Sequence, residues 1–286
     1  MTQLADARVV IVGLGLMGGS LAGALHGRCA QVIGVARREE TIESALSRGL
    51  IDDGTTDLTT AVDGAKTVVL ATPVRTIMKQ IEEIGPLLSP GCLLMDIGST
   101  KAQIARLMEH LPAGVQPLGG HPMCGREVAG IAAAEPTLYQ GCTFILTPLA
   151  RTSPDALALG ESLVQAVGAH PLVLKPSQQD RLAATISHLP YLLACALVNT
   201  ADALTSSDPA AWEIVAGGFR DTTRIAGSDV TMMLDILLTN REEVLEALNT
   251  YRAHVRKLEQ LVASGEEEDL RQALTTIRTL RKEMYP

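Results

Sequence analysis

A chain of 286 residues, 47% of them hydrophobic, can build one large domain or two ordinary ones, and with only 2% aromatic residues its core must be aliphatic. The net charge of −8 and the pI near 5.3 argue against nucleic acid as a partner, because neutralising phosphates takes a basic face. No uninterrupted apolar run reaches the ~20 residues of a membrane span, so no membrane partner is expected.

The first strand-like run, RVVIVG, begins at Arg8, which leaves no room for a targeting leader. Five scattered cysteines with no CxxC pair and no metal-ligand spacing suit reduced thiols in a cytoplasmic protein that binds no metal. Further short apolar runs follow: QVIGVA (31–36), TVVLAT (67–72), CLLMDI (92–97), VQPLGG (115–120), CTFILTP (142–148) and PLVLK (171–175). They are near-continuous rather than alternating, as strands are when both faces of a parallel sheet are covered. Helical stretches are predicted at 17–28, 39–48, 74–88, 100–110 and 154–168. The alternation predicts an α/β, doubly wound, Rossmann-type domain over 1–175. From Pro176 to Pro286 apolar residues recur every three or four positions, which predicts an all-α second domain.

The run VVIVGLGLMGG carries Gly13-x-Gly15-x-x-Gly18 between a strand and a helix, with Leu16 and Met17 inside the turn. In that setting Gly13 allows the tight turn, Gly15 lets a pyrophosphate approach the backbone, and Gly18 lets helix and strand pack closely. Thr72 and Pro73 end another strand at the same sheet edge and join the cofactor set. The second strand ends not in an acid but in Ala36-Arg37-Arg38. Two guanidiniums there suit a 2′-phosphate, so NADP is preferred over NAD; alternatively the arginines are solvated and Glu39 or Glu40 holds the ribose.

Four more stretches carry chemistry. MDIGSTK puts Ser99 after a strand, either in the site or as the cap of the next helix. GGHPMCGREVAG puts His121, Arg126 and Glu127 on a Gly- and Pro-punctuated loop, with a titratable imidazole at its head. DRLAATISHLPY brings Asp180, Ser187, His188 and Tyr191 toward one helical face, although His188 alone also reads as a core histidine beside Pro190. GFRDTTRIAGSD holds Arg220, Asp221, Arg224 and Asp229, either as a site or as ion pairs.

Taken in order, VGLGLMGGSLA, ATPV, DIGSTK, GGHPMCG, SHLP and GFRDTTRIAGSD resemble the prephenate/arogenate dehydrogenase family of tyrosine biosynthesis along nearly the whole chain. The resemblance implies an NAD(P)-binding domain followed by a helical domain that binds substrate and forms a homodimer. It implies oxidative decarboxylation of prephenate or arogenate, with His121 as base and Ser99 beside the substrate hydroxyl. It also implies Arg224, His188, Ser187 and Glu127 at the substrate. Arg126 adds a cation that would favour a keto-acid side chain. The chain's end at Pro286 predicts no fused mutase or regulatory domain. Two rivals remain: another two-domain NADP enzyme, such as a β-hydroxyacid dehydrogenase or imine reductase, and a dimer that binds NADP(H) without turnover. The first would need a lysine in the helical half, and none occurs between Pro176 and Arg256.

Overall fold

The computed structural model describes residues 4–126, 128–208 and 210–284. Eight strands form one sheet: β1 (Arg8–Val12), β2 (Gln31–Val35), β3 (Asp53–Thr55), β4 (Thr67–Leu70), β5 (Leu93–Asp96), β6 (Gln116–Pro122), β7 (Thr143–Pro148) and β8 (His170–Val173). Their order is β3-β2-β1-β4-β5-β6-β7-β8. The chain winds outward from β1 in one direction and from β4 in the other, so the switch point lies between these two strands. In open α/β sheets that crevice, outside the carboxyl ends of the strands, is where ligands bind.

The apolar runs became strands because helices cover both faces. α1 (Leu16–Leu25), α2 (Glu39–Ser47) and α6 (Pro154–Ala166) close one aliphatic cluster, with Leu21, Leu25, Ile42 and Leu163 packed on β1 and β5. α4 (Val74–Ile84) and α5 (Ala102–Met108) close the other, with Ile77, Ile81, Ile84, Ile104 and Met108 against β4 and the opposite side of β1. The short α3 (Leu58–Ala61) links β3 to β4, and the side chain of Asp57 caps it.

The structure departs from the sequence reading in three places. β3 and α3 are additional, too short and too polar to show periodicity. Helices expected at 74–88 and 100–110 are shorter, the first giving way to a 3-10 turn at Gly85–Leu87. Within the otherwise parallel sheet, β6 and β7 pair antiparallel, His121 opposite Ile145.

From Pro176 onward the described residues contain no strand. α7 (Pro176–Ala183), a π-helical turn (Ala184–His188) and α8 (Leu189–Thr205) form one continuous rod. This rod is long and apolar enough to cross a bilayer by length and composition. Its buried side chains Gln179, Asp180 and His188 are, however, hydrogen-bonded to the sheet edge and to Asn240, an arrangement that belongs to a protein interior. α9 (Ala210–Glu213), α10 (Gly217–Thr223), a 3-10 turn (Arg224–Gly227) and α11 (Val230–Thr239) follow. The chain divides into a compact unit ending at Arg241 and a second unit, residues 242–286. In the second, α12 (Arg241–Ser264) turns at Gly265 into α13 (Glu267–Met284).

Candidate active site

The carboxyl ends of β1, β2, β4, β5 and β6 share one edge because these strands are parallel. Gly13 follows β1 with φ of +101°, a left-handed conformation that L side chains rarely adopt. A Cβ on Gly18 would stand 1.9 Å from the Gly13 carbonyl oxygen, so only glycine lets α1 approach β1 this closely. Gly15 is different: among the described residues a Cβ there would meet nothing within 4 Å. The packing leaves that backbone open at the start of α1, beside Leu16 and Met17, the kind of approach that phosphate binding at a helix N-terminus requires. Thr72 and Pro73 follow β4 across the switch point; Thr72 Oγ1 donates to Gln80 Oε1 (2.7 Å) and Pro73 precedes α4. Arg37 and Arg38 follow β2 and are exposed, while Glu39 accepts a bond from Thr56 Oγ1 (3.3 Å).

A second group assembles beyond β5 and β6. His121 lies within the end of β6 rather than on a loop, and is only 8% exposed. The two preceding glycines serve packing: a Cβ on Gly120 would meet Asp96 O at 2.7 Å, and one on Gly119 would meet Thr147 Oγ1 at 2.1 Å. Through that space runs Lys101, 1% exposed, whose Nζ donates to the Asp96 carboxylate and to Gly120 O (2.7 Å). Burial raises Asp96 and lowers Lys101, each partner's charge pulling the other back. Burial, then the neighbouring charges of Lys101 and His188, lower the His121 pKa to about 3.

The helical half locks onto this edge. Asp180 accepts from Lys101 N and Ala102 N, both 2.7 Å, and so caps α5 from another element. Ser99 therefore does not cap that helix; its carbonyl accepts from Gln179 Nε2 (3.2 Å), and the same nitrogen lies 3.1 Å from His121 Nδ1. Asp235 accepts from Arg75 N (3.0 Å) at the start of α4, and Thr100 bonds Thr239 (2.8 Å). Asn240 Nδ2 donates to Asp180 O (2.8 Å) and lies 3.2 Å from His188 Nδ1. His188 is 1% exposed, burial lowers its pKa to about 4, and its Nε2 is buried without a partner among the described residues.

Ser99, His121 and His188 thus stand within one polar network, which also recruits Lys101, Gln179, Asp180, Thr239 and Asn240. Of the four residues expected on one helical face, Asp180 and His188 are buried, Tyr191 is half-buried and Ser187 is exposed. Arg224 is exposed and opens the half-buried 3-10 turn beyond α10, and Arg220 and Asp221 are exposed on α10 itself. Asp229 caps α11 through Met232 N (2.7 Å). Arg126 forms a two-pronged pair with Glu135 (both 2.8 Å), and Glu127 lies outside the described residues.

The dinucleotide cradle and the buried histidine network can be set beside known proteins. Residues 21–173 match the family model for the nucleotide-binding domain of prephenate dehydrogenase, and residues 175–276 match that for its dimerization domain. Bacillus subtilis prephenate dehydrogenase is 33% identical over 285 residues, covering 98% of this chain and 76% of the relative. The A. aeolicus prephenate dehydrogenase crystal structure with hydroxyphenyl propionate and NAD+ superposes with a TM-score of 0.92 at 33% identity, covering 99% of this chain and 100% of that one. Synechocystis arogenate dehydrogenase gives 0.84 at 33% identity, covering 97% and 99%. With both domain models matched in order and the likeness running the length of the fold, the chain belongs to the prephenate dehydrogenase family.

Proposed function

We propose that this protein catalyses oxidative decarboxylation of a cyclohexadienyl acid, prephenate or arogenate, in tyrosine biosynthesis. The observation that carries the reading is the neutral, buried His121 beside Ser99 and His188 at the carboxyl edge of the sheet, in a family member with a dinucleotide cradle. Gly13, Gly15, Leu16, Met17, Gly18, Thr72 and Pro73 would hold the dinucleotide, whose nicotinamide supplies a hydride acceptor. Arg37 and Arg38 favour the 2′-phosphate of NADP; Glu39, turned to Thr56, is the weaker candidate for a ribose ligand.

His121 takes the proton of the C4 hydroxyl as hydride leaves that carbon, and Ser99 orients the hydroxyl. The electrons of the C1–carboxylate bond then close the aromatic ring as CO2 departs, and the phenolate oxygen takes the proton back from His121. The depressed pKa keeps the imidazole neutral, and the substrate's own carboxylates raise its proton affinity in the loaded site. His188 offers its unpartnered Nε2 to the substrate, while Arg224, with Ser187 and Glu127, receives a carboxylate.

The working form is a cytoplasmic homodimer, with residues 176–286 as substrate-binding and dimerisation domain. Supporting this, α12 and α13 leave Val262, Leu274, Ile277, Leu280 and Met284 exposed, apolar surface of the kind that association buries. The test is NAD(P) reduction followed by absorbance with prephenate and arogenate supplied separately. His121→Asn should lower turnover about 10²–10⁴-fold, and Arg224→Ala should mainly raise KM. Wild-type turnover in His121→Asn would remove His121 from the role of base.

A further inference from the structure

His121 is held by a carboxamide, and the geometry fixes which way that carboxamide faces. Gln179 is fully buried on α7, and its Nε2 reaches both Ser99 O (3.2 Å) and His121 Nδ1 (3.1 Å). A backbone carbonyl accepts only a donor, so the end of the amide facing Ser99 is the nitrogen. Nδ1 is then an acceptor, and the neutral ring carries its hydrogen on Nε2. With Nδ1 occupied, Nε2 is the nitrogen left to meet a substrate, yet in this tautomer it has no lone pair to take a proton.

The reactive form needs the hydrogen on Nδ1 and an acceptor facing it. Gln179 Oε1 is buried and has no donor among the described residues. Lys101 bonds Asp96 and Gly120, Asp180 bonds two backbone N–H groups, and His188 Nδ1 lies by Asn240; Asp96 Oδ1 and His188 Nε2 also lack a partner among the described residues, but Gln179 is the side chain that already touches Nδ1. The last torsion of a glutamine is broad and roughly two-fold, so a half-turn exchanges the two ends of the amide, at the cost of the Nε2 bond to Ser99 O, which then faces an acceptor.

We propose that Gln179 is a positioning residue that selects the tautomer of His121, its N–H end holding the resting form and its oxygen end holding the form that can act as base. The inference rests on His121 being that base. The exchange conserves protons: one leaves Nε2 for solvent and one arrives at Nδ1. Proton uptake from the substrate then makes an imidazolium whose Nδ1–H is already bound by Oε1.

Two substitutions test it. Gln179→Glu supplies a permanent acceptor, and Gln179→Met keeps the length without either end. In 15N-labelled protein the wild-type His121 signals should show a protonated Nε2, and Gln179→Glu should show a protonated Nδ1. The acid limb of kcat/KM should move up by about one pH unit or more in Gln179→Glu, where a carboxylate stabilises the imidazolium. Gln179→Met should lose about tenfold or more in kcat with KM within about threefold. Identical 15N patterns and acid limbs in wild type and Gln179→Glu overturn the proposal, whether or not the Met variant folds. Failure of the underlying reading looks different: His121→Asn would then retain turnover.

Discussion

Two neighbouring glycines of the cradle should respond oppositely to the same added methyl. In Gly18→Ala the Cβ would lie 1.9 Å from Gly13 O and 2.9 Å from Ala71 Cβ. Relief to an ordinary contact near 3.4 Å means moving α1 from β1 by roughly 1.5 Å, against a core at crystal-like density. Overpacking of this kind costs ~1–3 kcal/mol or more. At about 2–4 °C per kcal/mol for a domain of this size, Tm should fall by several degrees. In Gly15→Ala the Cβ meets nothing, and φ of −90° suits alanine, so stability should stay within ~0.5 kcal/mol of wild type. The methyl instead occupies the approach a pyrophosphate needs, and cofactor affinity should fall about tenfold or more, ~1.4 kcal/mol. Thermal melts give the first quantity and calorimetric titration with NAD and NADP the second. A Gly15→Ala protein that binds both cofactors as wild type does would refute the placement of the pyrophosphate. An unshifted Tm in Gly18→Ala would refute the packing argument.

Replacing Arg37 and Arg38 together by alanine should raise KM for NADP while leaving KM for NAD within about twofold, read from initial rates with each cofactor; equal effects would return both arginines to solvent. Glu135→Gln should weaken the grip on Arg126 and raise the ratio of prephenate to arogenate turnover, and an unchanged ratio takes Arg126 out of side-chain selection. Burial holds the folded pKa of His188 at about 4, below the ordinary histidine value of 6.5, so the unfolded chain binds the extra proton first as pH drops. Its neutral burial stabilises fully above about pH 6.5 and is lost as pH falls toward 4, a contribution of ~3 kcal/mol at ~1.4 kcal/mol per unit. Melts of His188→Asn against wild type across that window should converge toward acid, and a constant difference would contradict the assignment.

The alternating strands and helices were legible because each leaves its periodicity in a few consecutive residues. The glycine fingerprint was legible for the same reason. The antiparallel β6–β7 pair was within reach too: a parallel crossover needs a helix, and no helical stretch was predicted between 120 and 142. GGHP misled because glycine and proline mark loops, whereas Gly119 and Gly120 are small to make room for Thr147, Met95 and the stem of Lys101. The carboxamides that hold the two histidines had no local signature. Gln179 is 58 residues from His121, and Asn240 is 52 from His188. Only the docking of the helical rod on the sheet edge brings them together.

That docking depends on a change of helical phase. Adjacent residues on a helix diverge by about 100°, so Gln179 and Asp180 reach different targets, one the end of β6 and the other the start of α5. His188 lies eight residues beyond Asp180, which on an unbroken α-helix would turn it by about 80° from the aspartate. The π turn at Ala184–His188 acts as one inserted residue, reducing the effective spacing to about seven, which is two α-turns and the same face. Asn240 spans that face, bonding the carbonyl of Asp180 and the ring of His188 with one amide nitrogen. The sequence explains why the helix widens there: Pro190 lacks the N–H that would bond Ile186 O four residues back, so the ladder is interrupted at the point where the phase must shift. The irregular turn is therefore what lets a single rod cap α5 and carry a buried histidine into the same site.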